Sequence, residues 1–185
     1  MRKKLEKSFF EKEACVVAEK LLGKFLVRRY PAEPLRGRGT GRGRLVAFMI
    51  SEVEAYDGPF DKASHASRGK TLRNQVMFGE AGRWYVYFTY GMHWMLNVVT
   101  GPKSYPAAVL LRGTTEVIGP GRLTKFLRIN KKFDGASALG RGDLWFEDRG
   151  VRIKKSQIQR TARIGVHYAG PYWSQRKYRF VLKDF

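Results

Sequence analysis

The 185-residue chain carries 36 Lys and Arg against 16 Asp and Glu, a formal charge of +20, with 43% hydrophobic and 14% aromatic residues. That is ample apolar material for one packed core and excludes global disorder, while the charge excess is too large for a balanced solvated surface and calls for a polyanionic partner. Cys15 has no second cysteine to pair with, which suits a reducing compartment, and no apolar run reaches the roughly 18 residues of a membrane span. The basic start Met1-Arg2-Lys3-Lys4 runs into Glu6, Lys7, Glu11, Lys12 and Glu13, so no signal peptide is expected. A soluble, intracellular protein of the cytoplasm or nucleoid (the nucleus in a eukaryote) is expected, and nucleic acid is the expected partner.

In chain order, Ala14, Val17, Ala18, Leu21 and Leu22 recur at helical spacing and predict a helix over residues 11–24, stopped at Gly23, with Cys15 near the core. FLVRRY at 25–30 predicts a strand. The Gly-, Arg- and Pro-rich segment 31–44 has no hydrophobic period and is expected to be a basic loop, suited equally to phosphate contacts or to simple solvation. LVAFMISEVEAY at 45–56 reads as a buried strand that acquires carboxylates at its end, followed by the polar loop DGPFDKASHASRGK. Residues 82–100 predict a β-hairpin whose first arm alternates Trp84, Val86 and Phe88 with Tyr85, Tyr87 and Thr89. Gly91 supplies the positive φ of its turn and leaves Tyr90 at the tip. AAVLL at 107–111 predicts another buried strand ending at Arg112, and 120–130 a helix. Short strands are expected around 144–147, 151–153, 164–168 and 178–182. Together these elements predict a single α+β domain over residues 1–185: an antiparallel or mixed sheet, flanking helices and a protruding hairpin.

Phosphate-binding glycine loops and Cys-x-x-Cys pairs are absent, and His65, His93 and His167 are too scattered to suggest a zinc site. What remains is carboxylate chemistry or pure binding. Period two along the strand places Glu52, Glu54 and Tyr56 on one face, where a carboxylate beside a cation such as Arg112 could stay ionised and deprotonate water. The same acids also suit an exposed strand end. A tyrosine at a rigid hairpin tip could wedge between base pairs, and the other aromatics could stack on an extruded base; a core hairpin with an exposed tip accounts for them equally well.

EAYDGP with its following histidine, MF…YVYFTYGM…N and LLR, in that order and spacing, together with GPGRLTKFLRINKKFDG and RIGVHYAG, resemble the alkyladenine (3-methyladenine) DNA glycosylase family over nearly the whole chain. The resemblance implies a monofunctional enzyme of base excision repair that flips alkylated or deaminated purines from duplex DNA and hydrolyses the N-glycosidic bond. The candidates it leaves open are 3-methyladenine, 7-methylguanine, hypoxanthine and ethenoadenine. By this resemblance Glu54 is the general base, Arg112 holds the carboxylate and water, and Val166 positions the water through its carbonyl. Tyr56, His65 and Tyr87 wall the base pocket, Asn97 rejects the 2-amino group of guanine, and Tyr90 is the intercalating wedge. No cofactor or metal is implied, and a monomer is expected. The family pattern often has a shorter connection before the catalytic strand, so the role of the 31–44 segment stays open. With a two-residue turn Asn97 would face away from Tyr87, so a shared pocket demands an odd-numbered loop or a bulge. The rival readings are a non-catalytic nucleic-acid binder, a glycosylase/lyase, which would need an amine nucleophile, and a nuclease, which would need metal-binding acids.

Overall fold

The computed structural model describes residues 2–31, 43–140 and 142–183; most of the basic 31–44 segment therefore lies outside the described residues. The chain begins with a two-residue strand β1 (Lys3–Lys4) and the short helix α1 (Lys7–Phe10), then α2 (Ala14–Leu21) and β2 (Phe25–Arg29). The long strand β3 (Leu45–Asp57) follows, then the hairpin arms β4 (Trp84–Thr89) and β5 (His93–Thr100), and β6 (Ala107–Thr114). After α3 (Pro120–Phe126) come β7 (Leu144–Asp148), β8 (Ile158–Thr161), α4 (Gly170–Ser174) and β9 (Arg179–Leu182). Among the described residues all strand pairings are antiparallel, in the order β1-β7-β2-β3-β6-β5-β4, with β9 paired to both β3 and β8. The α+β expectation holds.

β3 is the spine because it is long enough to serve two partners along one edge. Its first part, 45–49, pairs with β2; Glu52–Glu54 pair with β9; and its other edge carries β6. The register with β6 shifts on either side of Glu52, a bulge that twists the strand where its carboxylates begin. The apolar face of α2 (Ala14, Val17, Ala18, Leu21) is fully buried against this sheet. Phe146 joins the layers, its ring 5.5 Å from Phe10 and 4.8 Å from Trp84.

Several boundaries differ from expectation for identifiable reasons. The 11–24 helix is shorter: α1 closes at Glu11, whose N–H donates to Lys7 O, and this early stop lets Phe10 turn fully into the core before α2 starts. Residues 151–153 form no strand; Val151 and Ile153 instead cover Gly23, where an added Cβ would lie 2.6 Å from Ile153. Residues 164–168 are a bend running into one 3-10 turn (His167–Ala169), because the Ile164 N–H bonds a carboxylate rather than a neighbouring strand. β8 and β1 are additions whose short polar sequences carry no strand signal.

The hairpin loop has three residues, Tyr90 to Met92, closed by the pair Thr89↔His93. Tyr90 (φ 53°) and Gly91 (φ 67°) form the turn, closed by Met92 N–H to Thr89 O, and Met92 is the odd residue. Tyr85 therefore faces Asn97 and Tyr87 faces Met95, which puts Asn97 and Tyr87 on the same side of the ribbon. Because Phe146 touches both layers, Phe146→Ala is expected to destabilise the fold by about 3–5 kcal/mol, read as a lowered urea midpoint with unchanged slope.

Candidate active site

Glu54 is completely buried where β3 lies between β6 and β9. Its Oε1 accepts the Ile164 N–H (2.8 Å) and lies 3.4 Å from Arg112 Nη1; its Oε2 accepts the Tyr56 hydroxyl (2.9 Å). Burial pushes the Glu54 carboxyl above the usual carboxylate range, and Arg112, the Ile164 N–H and the Tyr56 hydroxyl pull against it. Glu52 lies close by. Its Oε1 accepts from both Arg112 Nε and Arg179 Nε, each at 2.7 Å, so charges alternate along Glu54, Arg112, Glu52 and Arg179. Burial disfavours the Arg112 cation, but the two carboxylates outweigh it and its pKa is raised. Glu52 is thereby committed to two guanidinium groups.

A second buried pair supports the first. Arg163 grips Asp61 with both terminal nitrogens, donates to Ala55 O (2.9 Å), and lies 4.8 Å from the Tyr56 ring centre and 5.2 Å from that of Tyr178. Asp61 also accepts the backbone N–H groups of Asp57 and Ala63. The loop after β3 and the segment after β8 are thus fastened together. The residue after Arg163 is Ile164, so this fastening aims its N–H at Glu54.

Beside this cluster an open cleft of ≈ 540 Å³ is lined by Tyr56, Tyr87, Tyr90, Arg112, Ile164 and Val166. Lys62, Arg68 and Arg73 lie along it. A recess of ≈ 40 Å³ opens among Tyr56, His65, Tyr85, Tyr87, Asn97 and Tyr168; Tyr56, His65, Tyr87 and Tyr168 border both spaces. His65 Nδ1 and the Tyr85 hydroxyl are hydrogen-bonded at 2.9 Å, and the His65 ring meets Tyr87 edge-on at 4.6 Å. Burial, reinforced by Arg73 and Arg68, lowers the His65 pKa to about 4, which leaves the ring neutral at physiological pH. Asn97 Nδ2 donates to Tyr85 O, which fixes the amide inside the recess. Tyr90 stands at the cleft edge, 79% exposed, in a left-handed conformation that non-glycine residues seldom adopt.

All eight residues singled out in the sequence gather in this region. Glu54 lies beneath the cleft wall, Asn97 lines the recess, and Arg112, Val166, Tyr56, His65, Tyr87 and Tyr90 line the cleft. The Val166 carbonyl already accepts the Ala169 N–H at 3.0 Å and retains its second lone pair. Sequence reasoning missed Arg163, Asp61, Arg179 and the Ile164 N–H. Asp61 and Arg163 lie inside the quoted motifs DGPFDKASH and RIGVHYAG, but they are 102 residues apart and nothing in one sequence pairs them. Among the described residues, no group of three or more His, Cys, Asp or Glu is arranged to hold a metal ion, and no helix is long and apolar enough to cross a membrane.

Residues 8–118 and 114–185 match the sequence pattern of the family described as Methylpurine-DNA glycosylase (MPG). A protein of the archaeon Methanocella arvoryzae is 40% identical over 97% of this chain and 92% of its own length. Proteins of Anaeromyxobacter dehalogenans (39% identical, 97% of this chain, 84% of its own) and Legionella pneumophila (38%, 98% and 96%) are similarly close. Each carries the name "Putative 3-methyladenine DNA glycosylase". The chain belongs to the methylpurine-DNA glycosylase family and is a DNA glycosylase.

Asp61→Ala would leave the Arg163 guanidinium buried without its carboxylate. A loss of about 3–5 kcal/mol in unfolding free energy is expected, measured by urea denaturation against Lys62→Ala as an exposed-charge control.

Proposed function

We propose that this enzyme acts as a monomer on duplex DNA containing alkylated or deaminated purines, flips the damaged nucleotide into the cleft and hydrolyses its N-glycosidic bond with water activated by Glu54. The observation that carries this reading is the buried Glu54–Arg112 pair, set beneath the wall of a basic cleft that leads to an aromatic recess. A carboxylate whose pKa burial raises, paired with an arginine at a cleft wall, suits general-base chemistry better than binding alone.

The protein's +20 charge draws it to the phosphate backbone. Tyr90, at the exposed hairpin tip, fills the space left by the extruded nucleotide, which offsets an unstacking cost of about a few kcal/mol. The base enters between Tyr56, Tyr87 and neutral His65, and Asn97 excludes the 2-amino group of guanine. Water is held by Glu54, Arg112 and the Val166 carbonyl. As the base departs with the electron pair of the C1′–N bond, positive charge grows on the sugar; water adds to C1′ and its proton passes to Glu54. A methylated purine that enters as a cation leaves as a neutral base and needs no general acid; a neutral deaminated purine must take up a proton as it leaves, and this route assigns that proton to no residue. A lysine nucleophile of the lyase type has no counterpart among the residues lining the cleft other than Lys62. The nuclease reading fits poorly with a Glu52 already held by two arginines.

Incubation of methylated DNA with chelator present is expected to yield free 3-methyladenine with the wild type. With Glu54→Gln, release should fall by at least about a hundredfold, the scale of a lost general base, while binding persists. A soundly folded wild type that binds DNA tightly and releases no damaged base would return the protein to the non-catalytic reading. The pH profile adds an independent check. Glu54 must be ionised to act and burial raises its pKa, so activity should fall on the acid side at a pH above the ordinary carboxylate range. Arg112→Gln removes a charge that lowers that pKa, so single-turnover profiles of this variant should show the acid limb moved to higher pH.

A further inference from the structure

Four tyrosines line the recess: Tyr56, Tyr85, Tyr87 and Tyr168. Three are already engaged. The Arg163 guanidinium lies 4.8 Å from the centre of the Tyr56 ring, and the Arg73 guanidinium 5.0 Å from that of Tyr87. Tyr85 is 2% exposed and meets His65 edge-on. A cationic base stacking on Tyr56 or Tyr87 would share the ring with a fixed positive charge, which weakens the attraction that a cation feels for an electron-rich ring. Tyr168 differs. It borders both recess and cleft, is 65% exposed, and among the described residues no Lys or Arg sits over its ring. Its hydroxyl donates to Ala63 O at 2.9 Å, which holds the ring at the mouth of the recess. It also lies two residues after Val166, on the turn that begins beside Glu54.

We propose that Tyr168 is a specificity-determining residue that supplies the free aromatic face for positively charged purine bases. Tyr56 and Tyr87 then contribute shape and stacking, which neutral and cationic bases use alike. Tyr168 contributes the preference for charge. The inference rests on the base-flipping reading above, because it requires the base to reach the recess.

The test is duplex binding in the Glu54→Gln background, with Tyr, Phe or Ala at position 168. The probes are matched duplexes holding one 3-methyladenine, a cation, or its neutral isostere 3-deaza-3-methyladenine. The ratio of the two affinities reads charge preference and cancels general effects on DNA binding or folding. Tyr168→Ala should reduce that ratio by about 2- to 30-fold, the scale of a cation–π contact, while Tyr168→Phe, which keeps the ring and loses the Ala63 tether, should keep it. An unchanged ratio in Tyr168→Ala overturns the proposal. A ratio lost equally in Tyr168→Phe overturns it too, by assigning the effect to the tether. A wild type that releases no base, while the binding ratio still follows the ring, would sink the hydrolytic reading and leave the role of Tyr168 in binding intact.

Discussion

A carboxylate taken wholly out of water tends to pick up a proton, and a protonated Glu54 could not accept one from water. Much of the local architecture acts against that tendency. Arg112 brings a positive charge, and the Ile164 N–H and the Tyr56 hydroxyl bring two donors, each delivered by a different stretch of chain. The donors are only useful if they stay in place. Glu52 and Arg179 immobilise Arg112, while the Arg163–Asp61 pair anchors the backbone that presents Ile164. Removing any one member would expose another to the cost of burial without its partner, which is why such networks hold a geometry rather than merely adding stability.

The sheet explains how these parts meet. β3 is the strand along which β2, β6 and β9 all find an edge, so residues at its end are surrounded by β6 on one side and β9 on the other. Arg112 comes from β6 and Arg179 from β9, and both reach Glu52 on β3. The bulge at Glu52 sits at this three-strand junction.

The hairpin continues the same sheet, with Asn97 on β5 and Glu54 on β3 both opposite Leu110 of β6. One extra residue in its loop decides which side of the ribbon Asn97 occupies, since side chains alternate with period two. With Met92 as that residue, Asn97 and Tyr87 share the recess and Tyr90 is left at the tip in a strained, exposed conformation. His65, its pKa lowered by burial, adds a neutral ring to the recess.

Much of this was legible in the linear order of residues. Apolar runs marked β3 and β6, alternation marked the first hairpin arm, and the excess of Lys and Arg pointed to a polyanion. The resemblance carried by the motif strings singled out Glu54, Arg112, Tyr90 and the other candidate residues, which the fold gathers in one region. The 164–168 segment shows where that reasoning ends: its apolar residues look like a strand, yet its backbone is diverted to a carboxylate 110 residues away. The pairing of Asp61 with Arg163, the double grip on Glu52 and the cations over Tyr56 and Tyr87 also depend on contacts across long sequence separations. The sequence by itself determined which chemical groups were present and the period on which they recur. Tertiary structure alone decided which charges are buried together, because desolvation and pairing depend on proximity in space, for which a single sequence carries no direct signal.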